Sequence, residues 1–124
     1  MLIFLLSLFG ILGVALGAIG QHMLQDSLTP NLMHTFSTAV DYHQLYSILL
    51  LVLFYIHTLR AQLVPRSVIT CFFLGTLLFS GSLYAYIFTQ WHFLVFITPI
   101  GGFTLMGAWL WTGFTLYYYK KNKV

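Results

Sequence analysis

The chain has 124 residues, of which 60% are hydrophobic, 19% aromatic and only 6% charged, where soluble domains carry about 25% charged residues. No soluble fold of this length can bury so much apolar surface, whereas four segments of ~20 residues, each long enough to cross ~30 Å of hydrocarbon, account for it. The formal charge of +3 comes from five basic residues gathered at two places, which sets membrane topology and does not describe a nucleic-acid surface.

These features predict an all-α integral membrane protein, a single domain over 1–124 built as a four-transmembrane-helix bundle. The predicted spans are about 2–20, 35–59, 67–88 and 93–119, with a short polar interfacial segment over 21–34. The first span has no basic residues before its apolar core, which argues against a cleaved signal peptide. Gly10, Gly13, Gly17 and Gly20 recur at spacings of three, four and three, so they share one helical face and predict close helix packing in lipid.

In the segment that follows, Thr29-Pro30 has the form of a helix start, a capping hydroxyl and then proline at the first helical position. A helix from there to Leu59 is about 45 Å long, more than the hydrocarbon needs, so its first turns stand at or beyond the headgroups. Asp41 and Asp26 are the only acids in the chain. Asp41 opens the run Asp41-Tyr42-His43-Gln44, and counting back from Leu59 places it near the outer hydrocarbon boundary. A carboxylate beside imidazole, phenol and amide groups at that depth marks a functional site or a polar lock. Tyr42 and Tyr46 share one face, and Ser37, Asp41, Gln44 and Ile48 trace another.

Arg60 and Arg66 bracket the loop between spans two and three, while Lys120, Lys121 and Lys123 close the chain. Retention of Lys and Arg on the cytoplasmic side places both termini there, with Tyr117, Tyr118 and Tyr119 as an interfacial belt. Cys71 is alone, so an intrachain disulfide is excluded. The third span carries Ser80, Gly81, Ser82 and Tyr84 in its outer half, and the fourth carries Thr98, Pro99, Gly101 and Gly102 there. Pro99 frees the carbonyl of Val95, for which Ser80 or Ser82 is a candidate partner. The unusual residues of all four spans therefore share one depth, as an outward-facing polar layer of His22, Asp41, Tyr42, His43, Gln44, Tyr46, Ser80, Ser82, Tyr84 and Thr98.

His34, His57 and His92 read as boundary residues. His22, Asp41 and His43 form the nearest approach to a metal set, but Asp41 and His43 are two residues apart and point about 200° away from each other on a helix. No metal and no other cofactor are expected.

The blocks Gly17-Ala18-Ile19-Gly20-Gln21-His22, the segment Asp41 to Ser47, Leu78-Phe79-Ser80-Gly81-Ser82-Leu83-Tyr84 and Thr98-Pro99-Ile100-Gly101-Gly102, with Gly107-Ala108-Trp109, follow one another in the order and spacing of a known family. The chain resembles the bacterial YgdD-like small membrane proteins, domain of unknown function 423, to which eukaryotic transmembrane protein 256 is related. The resemblance covers nearly the whole chain and implies a four-helix protein of the bacterial inner (plasma) membrane, without implying an activity. Gln21 stands where the family usually has alanine. His43 and Tyr46 stand where it usually has glutamine and a later histidine, so the imidazole is displaced by about one turn.

Three functions fit these residues. The first is a non-catalytic accessory or assembly module, with membrane lipid around it and a second copy or another membrane protein as partner. The alternative is binding or permeation of a proton, ion, lipid or small solute through the polar layer. An intramembrane enzyme is the weakest, because no nucleophile and base stand at a recognisable spacing, and Ser80-Gly81-Ser82 lies inside a helix rather than at a strand-to-helix turn.

Overall fold

The computed structural model describes residues 1–121 and contains four long helices, α1 (Leu2–Ile19), α2 (Pro30–Leu59), α3 (Arg66–Thr89) and α4 (Leu94–Lys121). Each is long and apolar enough to cross a membrane, and the described residues include no strand. Lys123, counted with the basic C-terminal cluster, lies outside them.

The polar segment 21–34 is more regular than its composition predicts. α1 runs on through one π-helical turn, Gly20–Leu24, and α2 already begins at Pro30, so only residues 25–29 lie outside a helix. Thr29 is extended at φ −63°, ψ 155°, and its hydroxyl accepts from the Leu32 amide at 3.4 Å. Capping therefore extends α2 well beyond its apolar part. At the other end of the α3–α4 pair, Gln90 adopts a left-handed conformation at φ 54°, and its amide donates to the Tyr86 carbonyl. That turn stops α3 and lets α4 start four residues later.

Each helix packs its backbone against its neighbours in sequence, α1 on α2, α2 on α3 and α3 on α4. In an apolar 18-residue stretch of each helix, 39% of the residues are buried in α2 and in α3, against 11% in α1 and 17% in α4, so the outer two turn more of their residues outward. Glycine sets the two outer contacts. A Cβ at Gly20 would run into the Phe36 ring, and one at Gly17 would lie 3.2 Å from Val40 Cγ1. At Gly101 a Cβ would strike the α3 backbone, 2.8 Å from the Leu78 carbonyl carbon. Gly81, which its sequence position marks for helix packing or a kink, has open space where a Cβ would stand.

The core divides by depth. Near the arginine loop, Leu6, Leu50, Leu53, Val64, Val68, Ile69, Phe72, Leu105 and Ala108 form one continuous apolar cluster. A smaller cluster of Phe36, Val40 and Ile87 closes the opposite end. The loop itself is tied down: His57 Nδ1–H donates to the Val64 carbonyl at 2.7 Å, and Arg66 Nε donates to His57 Nε2 at 3.3 Å. Arg60 Nη1 reaches the Tyr119 hydroxyl at 3.1 Å, which brings the end of α4 to the same end of the bundle.

Candidate functional site

His43 is the centre of the polar layer. It lies on the buried side of α2 at 4% exposure, where Gly13 makes room for it: a Cβ on Gly13 would come within 3.4 Å of the imidazole Cγ. The Phe9 ring of α1 covers one side, with centroids 4.2 Å apart. Tyr84 of α3 approaches from the other, its hydroxyl 3.3 Å from His43 Nδ1. Tyr84 in turn packs edge-on against Phe36 at 5.5 Å. Ser47 donates to the His43 carbonyl at 2.7 Å, and Gln44 donates from Nε2 to the Gly13 carbonyl at 3.2 Å. Two side-chain bonds thus fix this turn of α2 and its seat on α1.

Two polar atoms beside this assembly have no hydrogen-bonding partner, His43 Nε2 and Ser80 Oγ. Ser80 is 2% exposed. Leaving a buried donor or acceptor unpaired costs about 1–3 kcal/mol, so the pair is an unusual feature of the interior. Both residues line one cleft of about 270 Å³ between α1 and α3, floored by α2 and bordered by Phe9, Leu12, Leu77 and Tyr84.

The remaining residues of the predicted layer separate from this centre. Ser82 and Thr98 meet at 2.7 Å between α3 and α4, and each hydroxyl also faces a carbonyl of its own helix, Phe79 and Leu94. Ser82 is thereby engaged away from the carbonyl freed by Pro99, the role expected of it or of Ser80. Gly102 packs loosely on the Phe79 ring, 3.8 Å from where its Cβ would stand. Tyr46 accepts from Trp109 Nε1 at 3.2 Å, and Tyr42 stands exposed over the Phe79 ring at 4.5 Å. His22 and Asp41 are both exposed. Neither lines the cleft with His43; for Asp41 the reason is that two positions along α2 turn a side chain to the opposite face. The described residues hold no group of three metal-capable side chains.

Sequence reasoning located His43, Ser80 and Tyr84 but missed Phe9, which supplies one wall of the cleft. An isolated phenylalanine in an apolar span gives no sign of what it faces. The Trp109–Tyr46 bond was likewise invisible, since the two residues lie 63 positions apart.

Residues 16–102 match the family model described as "Protein of unknown function (DUF423)". The chain belongs to this DUF423 family. The match contains His43, Ser80, Tyr84, Ser82 and Thr98, whereas Phe9, Gly10 and Gly13 precede it. Among curated relatives, a UPF0382 membrane protein of Haemophilus influenzae is 35% identical over 106 residues, 86% of this chain and 85% of its own length. The UPF0382 membrane protein YwdK of Bacillus subtilis is 34% identical, covering 81% and 82%. The UPF0382 inner membrane protein YgdD of Escherichia coli K12 is 32% identical, covering 88% and 82%. No solved structure matches. With four spanning helices and these relatives, this DUF423 member is an integral protein of the bacterial inner membrane.

Proposed function

We propose that this protein is a non-catalytic accessory module that assembles with a different membrane protein through the face of α2 headed by Asp41. The supporting observation is the placement of that carboxylate. Asp41 is exposed and has no ion pair among the described residues, and Leu45, Ile48, Val52 and Tyr55 continue the same exposed stripe. Exposed apolar side chains are ordinary on a helix that meets lipid, but an exposed carboxylate at the edge of hydrocarbon gains from a cationic or hydroxyl-bearing partner. A second copy in the same orientation offers no Lys or Arg at that level, because Arg60 stands 19 positions further along α2, about 28 Å away, and Arg66, Lys120 and Lys121 lie at that same end. A cationic partner for Asp41 is therefore expected from another polypeptide.

Polar residues elsewhere in the bundle serve its own backbone. Ser47, Thr76 and Thr112 each donate to the carbonyl four residues earlier. The apolar cluster at the arginine-loop end gives a single subunit no polar path from face to face, which speaks against permeation. Photo-crosslinking residues placed at Leu45 and Ile48 in native membranes test the reading. A discrete adduct with another protein, lost in Asp41→Asn, is expected. Adducts with lipid or with a second copy alone would overturn it. The binding alternative is favoured by one specific observation, the unpartnered atoms of His43 and Ser80.

A further inference from the structure

We infer that the cleft between α1 and α3 is a binding site for an uncharged carbonyl group carried on a lipid-soluble molecule, with His43 and Ser80 as its hydrogen-bond donors. The site lies on a different face of the bundle from the Asp41 stripe, and the inference does not depend on the partner proposed for that stripe.

The chemistry follows from the side chains. Phe9, Leu12, Leu16 and Leu77 make the walls apolar, and no Asp, Glu, Lys or Arg lines the cleft. A charged ligand would lose its hydration there without compensation. His43 Nε2 and Ser80 Oγ are both buried without partners, and the other two hydroxyls in the lining are already engaged, Thr76 with the Phe72 carbonyl at 2.7 Å and Tyr84 with His43 Nδ1 at 3.3 Å. The tautomer of His43 decides what the ligand must offer. The Tyr84 hydroxyl faces Nδ1 at 3.3 Å, and with Tyr84 donating to Nδ1 the ring hydrogen stands on Nε2. Nε2–H and the Ser80 hydroxyl are then both donors without an acceptor, so the group they call for on a ligand is an acceptor oxygen. A carbonyl has two lone pairs for the purpose.

Size and depth agree. A cavity of about 150 Å³ already accommodates benzene, so the 270 Å³ here takes a substituted ring or the ester segment of an acyl chain. His43 stands 16 residues from the end of α2 at Leu59, about 24 Å along the axis. That is several ångströms inside the far boundary of a ~30 Å hydrocarbon layer. The cleft is thus reached from within the bilayer, its floor lying just below the level of lipid ester groups. Both donor atoms are buried beneath the lining, so a ligand reaches them by displacing side chains at the rim.

Ring ketones such as quinones and the esters of glycerolipids share this chemistry. Native mass spectrometry of the purified full chain, titrated with decylubiquinone in one arm and dioctanoylglycerol in the other, tests the site and distinguishes the two sources. One molecule per chain is expected in at least one arm, with its carbonyl stretch lowered in the infrared spectrum. Gly81→Leu fills the cleft from a position where a Cβ meets nothing within 4 Å, and binding should fall at least tenfold while the melting temperature holds. Ser80→Ala should weaken binding about three- to tenfold and return part of the carbonyl shift. Failure of both probes to bind the unaltered chain would overturn the inference. So would binding that is indifferent to both substitutions.

Discussion

Ser82 and Thr98 join α3 to α4 through hydroxyl oxygens 2.7 Å apart, one residue before Pro99 interrupts the backbone ladder of α4. The proline removes an amide where a membrane helix has no water to replace it. A hydroxyl pair between helices is an economical way to hold that turn in place. Thr98→Val and Ser82→Ala should each lower stability by about 1 kcal/mol. Because both remove the same contact, the double variant should lose little more than either single one. Reversible unfolding in mixed micelles measures all three against the unaltered chain, and additive losses would show the pair to be incidental.

A sharper contrast exists between two glycines of one helix. At Gly101 a Cβ would strike the backbone of Leu78 and Phe79, which cannot swing aside, whereas at Gly107 it would meet nothing within 4 Å. Gly101→Ala should therefore destabilise by about 1–3 kcal/mol through forced separation of α3 and α4. Gly107→Ala should stabilise by about 0.5–1 kcal/mol, because alanine is the better helix former. Melting curves followed by circular dichroism decide the sign in each case.

Gly20 presents a case where the obstacle is a side chain. The Phe36 ring fills the space a Cβ would need, and Phe36 is itself only 1% exposed. Gly20→Ala alone should destabilise the α1–α2 contact, and Phe36→Leu alone should leave a void. Combined, they should recover part of the loss, with a coupling of about 0.5–3 kcal/mol in a double-mutant cycle. Strict additivity would mean that the ring does not press on α1.

Trp109 and Tyr46 provide the polar tie between α4 and α2, with indole nitrogen and phenol oxygen 3.2 Å apart. Tyr46→Phe keeps the ring on Phe72, 5.7 Å away, and removes only the acceptor. A loss of about 1 kcal/mol is expected, accompanied by a shift in tryptophan emission from the newly unpaired indole. An unchanged spectrum would place the indole elsewhere.

Much of the architecture was legible before the structure. Composition alone demanded four spans, Thr29-Pro30 marked the start of α2, and the glycine spacing marked the face that α1 turns to α2. The site was legible only in part. His43, Ser80 and Tyr84 stood out because polar atoms are costly in lipid, but their grouping on one side and the exile of Asp41 and His22 to the outside did not. In a soluble helix the apolar face betrays the core. Here both faces are apolar, one toward lipid and one toward protein, so periodicity does not say that Phe9 and Phe36 point inward while Phe4 and Phe103 point outward.

The order in which the helices touch also bears on how the chain is made. α1 rests on α2, α2 on α3 and α3 on α4, so each backbone interface joins segments adjacent in sequence. Such a topology closes short loops first and keeps contact order low. From α2 onward, each helix is synthesised after a neighbour it packs against. Contacts that skip a helix, among them Phe9 with Phe73 and Trp109 with Tyr46, are made by side chains. They join segments separated by a whole helix, and so have the longest loops to close.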